Sequence, residues 1–306
     1  MIVRPRPGAL QLFFILRGSI LPKIAAKILF ISLLACVTVW FYEHGDLESL
    51  HSLSAPAFSL LGVALSVFLG FRNSTCYDRW WEARKLWGEL VIQSRGLARD
   101  TQALLGDEAH AALRERTLRR CIAFAHALAA SLRGQDPLTP IRHWIDPREA
   151  ELLKAHHQIP DALLNRIADD LADCLRRGVL SDVLYQTLAR RLDGMSSAQA
   201  SCERIKSTPT PFAYSLLLHR TAWLFCLLLP FGLVSSLELM TPLVVAIIAY
   251  TFFGLDALGD ELEDPFGFAD NDLPLDALVR VIERDVLDVL GEPVPEALQP
   301  KGYVLN

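Results

Sequence analysis

The chain has 306 residues, 52% of them hydrophobic and 21% charged, with a formal net charge of -5. A mean hydropathy of +0.28 alongside that much charge requires the apolar residues to be gathered into blocks, which excludes an ordinary soluble globule. The negative balance excludes a polyanion binder that works by phosphate neutralisation, so nucleic acid is not an expected partner.

In chain order the first apolar block covers residues 24–42, with only Lys27 inside it, and about 20 apolar residues cross a bilayer as a helix. The second, residues 56–71, is shorter and contains Gly62, Ser66 and Gly70; small residues predict a helix packed against protein rather than bathed in lipid. The third and fourth, residues 212–234 and 241–258, predict a helical hairpin over the turn Ser235-Ser236-Leu237-Glu238. His219 and Arg220 near the start of the third block place its hydrocarbon span from about Thr221.

Positive charge sets the expected orientation. Arg4, Arg6, Arg17 and Lys23 precede the first span, and Arg72, Arg79, Arg84 and Lys85 follow the second. The loop 44–55 and the hairpin turn carry no Lys or Arg. Both termini are therefore expected on the cytosolic side of the cell (inner) membrane, together with residues 72–211 and the acidic tail from 259. The expected divisions are 1–71, 72–211, 212–258 and 259–306, with the helix at about 56–71 as the functional one.

The inner segment reads as helical. Leu113, Leu118, Ile122, Phe124 and Leu128 recur at helical spacing among Arg114, Glu115, Arg116, Arg119 and Arg120. Further amphipathic helices are predicted over 160–177, 181–205 and 275–290, with Ser181 and Asp182 as starters of the second. Their charges read as solvated faces. The cysteines Cys36, Cys76, Cys121, Cys174, Cys202 and Cys226 stand singly, as small buried hydrophobes rather than a zinc or disulfide set. Leu33-Leu34-Ala35-Cys36 is similar to a lipoprotein cleavage box, but lipidation there would oppose the orientation that the charges set.

Three stretches resemble the bestrophin family. Arg17-Gly18-Ser19-Ile20 precedes the first span, Leu65 to Phe71 continues through Arg72 and Asn73 to Asp78-Arg79-Trp80-Trp81-Glu82, and Asp264-Pro265-Phe266-Gly267 follows the fourth span. The resemblance implies an all-α membrane protein with four transmembrane helices per subunit and a large cytosolic helical region. It also implies a homopentamer around a central pore. Val63, Val67 and Phe71 match the family's neck positions, and their i, i+4, i+8 spacing stacks them on one helix face. Without the surrounding motif the same spacing reads as core packing. A tight apolar neck stops ions by dewetting, and a small widening restores conduction. Leu180, in Gly178-Val179-Leu180-Ser181-Asp182, is carried over as a cytosolic aperture, with a buried Leu beside a capped helix as the other reading.

The function implied is an ion channel passing small monovalent ions. Val67 stands where animal members have a phenylalanine, which removes a ring of electropositive aromatic edges. That loss and the inner carboxylates lean toward cations, with an anion (chloride) channel as the alternative. A calcium site is doubtful and no cofactor is expected: Phe268 and Ala269 occupy the first places where animal members put acids after the glycine, and Asp270-Asn271-Asp272 before Pro274 reads as a helix start. A membrane enzyme would need convergent titratable groups; His219 and Arg220 are those noted, and no HExxH, G-x-S-x-G or P-loop is present. A secondary transporter would show paired repeats and broken helices. A non-conducting scaffold remains as the last rival.

Overall fold

The computed structural model describes residues 1–5, 8, 10, 11, 14–45 and 55–306. Arg6 and most of the first interhelical loop, residues 46–54, lie outside the described residues, as do the side chains of residues 55–57. The described residues form α1 (Leu21–Glu43), α2 (Ala55–Leu104), α3 (Ala111–Leu132), α4 (Pro147–Leu153), α5 (Ile159–Arg176), α6 (Asp182–Ser207), α7 (Phe212–Leu237), α8 (Thr241–Glu263) and α9 (Leu275–Leu290), with short 3-10 turns between some of them. Extended pairing among these residues is limited to isolated bridges, Ile2 to Val304 and Lys301 to Val304.

The chain divides into two compact units, one of residues 4–80 and 209–264, the other of 1–3, 81–208 and 265–306. The four consecutive segments expected from sequence follow spans and loops and are a different kind of division. The helix expected to stop near Phe71 runs without a break to Leu104, so no boundary falls at 72. Residues 72–80 group with the apolar helices because Arg72 is bonded to α8. Each excursion into the first unit starts and ends in the second, which also holds both chain ends, where Val3 N–H donates to Tyr303 O (2.8 Å) and Leu305 N–H to Met1 O (2.9 Å).

The unit of apolar helices contains three stretches long and apolar enough to cross a membrane, within 21–43, 58–104 and 212–263. The last is split by the turn Glu238–Met240 into α7 and α8, as the hairpin pattern predicts. α1 packs on α8 and α7 through Ile24, Ile31 and Ala35, and Leu65 and Leu69 of α2 join the same core with Phe225, Leu229 and Phe253. Lipid gives apolar helices no hydrophobic reason to associate, so close shape has to hold them. It does so reciprocally: a Cβ at Gly62 of α2 would lie 3.2 Å from Phe225 Cζ of α7, and one at Gly232 of α7 would lie 2.5 Å from Phe58 Cε2 of α2. Each helix thus receives a ring of the other in a glycine hollow. Gly70, grouped with Gly62 by sequence, instead faces open space.

One charged cluster has its centre buried in this unit, with Arg72 and Asp256 enclosed and Asp260 and His219 at its exposed edge. Arg72 is 2% exposed; its Nη1 donates to Asp256 Oδ1 (3.2 Å) and Asp256 O (3.1 Å), and its Nη2 to Asp260 Oδ1 (2.5 Å). Glu263 lies 3.6 Å from the same nitrogen, and His219 Nδ1 is 2.7 Å from Asp256 Oδ2. Asp256, inside the fourth apolar block and 1% exposed, is a charge that the reading of the spans missed. Its pairing with Arg72 and His219 explains how an apolar run tolerates it.

In the other unit α3 is central. From Cys121 to Leu132 nearly every side chain is buried, many of them alanines that let α5 and α9 approach. The amphipathic helices expected over 160–177, 181–205 and 275–290 appear as α5, α6 and α9, and Ser181 Oγ caps α6 by accepting from Leu184 N–H. The solvated-face reading fails at Arg120, which is 7% exposed and donates to Asp170 Oδ2 (2.7 Å) and Arg166 O (3.1 Å). The expected helix start at Asp270-Asn271-Asp272 fails as well. α9 begins only at Leu275, out of capping reach, and Asp272 instead closes its own loop by accepting Ala269 N–H (2.7 Å). All six cysteines are free and Cys36 alone is exposed; burial pushes the Cys121 thiol up to about 11 and Cys202 up to about 12.

Removing one partner of a buried ion pair strands the other, at a cost of about 3–5 kcal/mol, whereas replacing both with apolar residues is often neutral. Arg72→Met is therefore expected to lower the thermal midpoint of the detergent-purified protein clearly, and Arg72→Met/Asp256→Leu to recover part of the loss, as followed by tryptophan fluorescence. A single variant as stable as the parent would show that the cluster does not hold α2 to α8.

Candidate functional site

α2 has two faces along its whole length. At about 100° per residue, Leu65, Leu69, Arg72, Cys76, Ala83, Trp87 and Leu90 fall on one side, and all are buried. Val63, Val67 and Phe71 fall on the other. They are 64%, 49% and 62% exposed, so no other part of the subunit covers the apolar strip that sequence placed on one face. Core packing inside the subunit, the other meaning of that spacing, is therefore excluded for these three side chains.

The open face changes character just past Phe71. In the same register come Ser74, Asp78, Lys85 and Glu89, all exposed, with Trp81 and Ile92, 46% and 56% exposed, among them, so the apolar segment gives way to a mixed, more polar one on the same helix. Thr75 satisfies its hydroxyl by donating to Phe71 O (3.0 Å). Asp78 makes no hydrogen bond or ion pair among the described residues. It went unremarked as a site residue in the sequence, although the signal was there: it lies seven positions after Phe71, two turns on.

What fixes this face is the residue beside Phe71. Arg72 points the opposite way into the sealed cluster on α8, and Gly259 of α8 makes room for it, since a Cβ there would stand 3.0 Å from Arg72 Nη1 and 2.8 Å from Asn73 Oδ1. Two turns further, the guanidinium of Arg79 donates weakly to Glu263 O (3.4 Å from both Nε and Nη2). The Glu263 carboxylate accepts from Thr210 N–H (2.8 Å) and Oγ1 (2.6 Å). The stretch around the arginine-tryptophan-tryptophan motif is thus a bonded assembly that sets the rotation of α2.

Leu180 lies where α5 ends and α6 has yet to begin. α5 closes through Gly178 (φ 72°), Val179 and Leu180 N–H groups both point at Cys174 O (2.9 and 3.3 Å), and the Leu180 side chain ends 2% exposed. The Leu180 side chain is thus buried beside the capped start of α6. The exposed apolar side chains nearby are Val179 at 37%, Val183 at 71% and Leu184 at 38%.

Among the described residues no three His, Cys, Asp or Glu side chains converge in the manner of a metal site. In the loop after Pro265, Phe266 is buried, Leu273 N–H donates to Pro265 O (2.9 Å), and the Arg133 guanidinium lies 4.4 Å from the centroid of the exposed Phe268 ring.

Residues 1–288 match the model of the bacterial/fungal bestrophin proteins. The chain is 46% identical over 306 residues to the voltage-dependent anion channel-forming protein mll4386 of Mesorhizobium japonicum, covering 100% of this chain and 97% of that one. It is 42% identical over 307 residues to the voltage-dependent anion channel-forming protein YneE of Escherichia coli K12, covering 99% of each. Among solved structures, a bacterial bestrophin homologue from Klebsiella pneumoniae superposes with a TM-score of 0.84 at 39% identity, over 88% of this chain and 99% of that one. These relatives are named as channel formers, not enzymes. With its three motifs in order on an all-helical membrane fold, the chain belongs to the bacterial/fungal bestrophin family.

Proposed function

We propose that this protein is a subunit of a pentameric ion channel of the inner membrane, with Val63, Val67 and Phe71 of α2 forming an apolar neck through which small monovalent ions pass down their gradient. The observation that carries it is the uncovered strip on α2, opposite a face locked by Arg72. The polar residues Ser74 and Asp78 that follow in the same register suit the mouth of a water-filled passage. A neck of this kind holds ions back because an ion stripped of water meets no dipole there, and widening it rewets it.

The names of the relatives support anions as the permeant class, against the cation lean drawn from composition. The second reading, a cation preference, rests on a specific feature: the valines at 63 and 67 offer no positive ring edges to an anion. Both termini face the cytosol in this reading, because the positively charged segments flank the same ends of the spans. Conduction needs no resident metal.

Val67→Ala is expected to raise passive tracer flux in liposomes several-fold, since it removes two methyl groups from the narrowest apolar layer; unchanged flux in well-folded assemblies would take Val67 out of the neck. Reversal potentials in planar bilayers under a KCl gradient are expected on the chloride side of zero, and values on the potassium side would replace the anion reading with the cation one. Chelation of divalent cations with EDTA is expected to leave the flux unchanged. A loss of flux that calcium restores would reveal a metal site.

A further inference from the structure

Asp78 is a charge with nothing to balance it. It lies on α2 two turns past Phe71, about 10 Å along the axis at about 1.5 Å per residue. Its side chain is exposed, and no hydrogen bond or ion pair is formed by it among the described residues. Most of the other charges nearest on the helix differ from it; Arg84, half-buried and off the open face, also forms no hydrogen bond or ion pair among the described residues. Arg72 is sealed against α8, Arg79 is turned to Glu263 O, Glu82 accepts from Arg204 Nη2 (2.6 Å), and Glu89 accepts from Gln93 Nε2 (2.6 Å). Lys85 shares the open face but stands four turns past Phe71, twice as far.

We infer that Asp78 is a specificity-determining residue of the channel, forming a ring of carboxylates just beyond the apolar neck that draws cations and retards anions. This rests on the proposed neck, because the ring exists only if the face bearing Val63, Val67 and Phe71 surrounds the passage. The neck carries no charge and offers ring edges only at Phe71, so sorting by sign falls mainly to the first charge an ion meets where it leaves or enters the constriction. Charged side-chain rings select in this way in other pores, and low-dielectric walls focus the field of a ring into the mouth it borders. At physiological salt the screening length is about 8 Å, so Asp78 acts on the near end of the neck while Lys85 acts weakly. Whatever preference the whole channel has, the carboxylate at 78 moves it toward cations.

The test is the reversal potential of the purified assembly in planar bilayers under a KCl gradient. Asp78→Asn is expected to move it toward the chloride equilibrium potential, corresponding to a rise of about threefold or more in the chloride-to-potassium permeability ratio. An unmoved reversal potential with conductance retained overturns the proposal. Should Asp78→Asn fail to assemble, Asp78→Cys serves instead. A positively charged thiosulfonate reagent should shift it further toward chloride and a negatively charged one should shift it back, with the parent protein as control for Cys36. Opposite or absent shifts overturn the proposal. The same reagents on Val67→Cys separate the two levels: block there with no effect at 78 removes only the role of Asp78, while no block at 67 removes the neck itself.

Discussion

The buried guanidinium of Arg72 is the constraint around which the apolar helices are arranged. It meets two carboxylates and a backbone carbonyl of α8 from a position that is 2% exposed, and a charge at that depth tolerates few geometries. Apolar packing would permit α2 to rotate by a fraction of a turn with modest loss. An ion pair does not. Because Phe71 is the neighbouring residue, fixing Arg72 also fixes which side of α2 remains uncovered. Burial of charge here contributes orientation more than net stability.

Distance between the helices is set by different means. Phe58 in the hollow at Gly232 and Phe225 in the hollow at Gly62 hold α2 and α7 at one separation, since neither ring has room to retreat. Shape has to do this, as lipid tails are as apolar as the side chains themselves. Rotation set by charge and spacing set by rings together leave Val63, Val67 and Phe71 open. In the other unit the same division recurs, with alanines of α3 setting distance and Arg120 setting orientation through Asp170.

Two indications of ionic sign pull against each other. Relatives at 42–46% identity are named as anion channel formers, while the strip on α2 lacks aromatic edges at its first two positions. In the proposed reading the constriction and the sign filter are separate places. A neutral neck limits how much passes. Charges beyond it bias what passes, and residues there can change without disturbing the neck or the ion cluster that orients it.

Apolar runs and small residues determined, from the sequence by itself, the helical hairpin and the amphipathic helices, because both are written in local periodicity, while the family was legible only as a resemblance in three motifs. The sequence also placed Val63, Val67 and Phe71 on one face, which follows from helix geometry alone. Only the tertiary structure decided that this face is uncovered, that Leu180 is enclosed, that Asp256 is tolerated in its apolar run because it meets Arg72, and that Gly70 is open where Gly62 is filled. Those outcomes depend on which distant element lies opposite each residue. Periodicity says which side chains share a side and is silent about what that side meets.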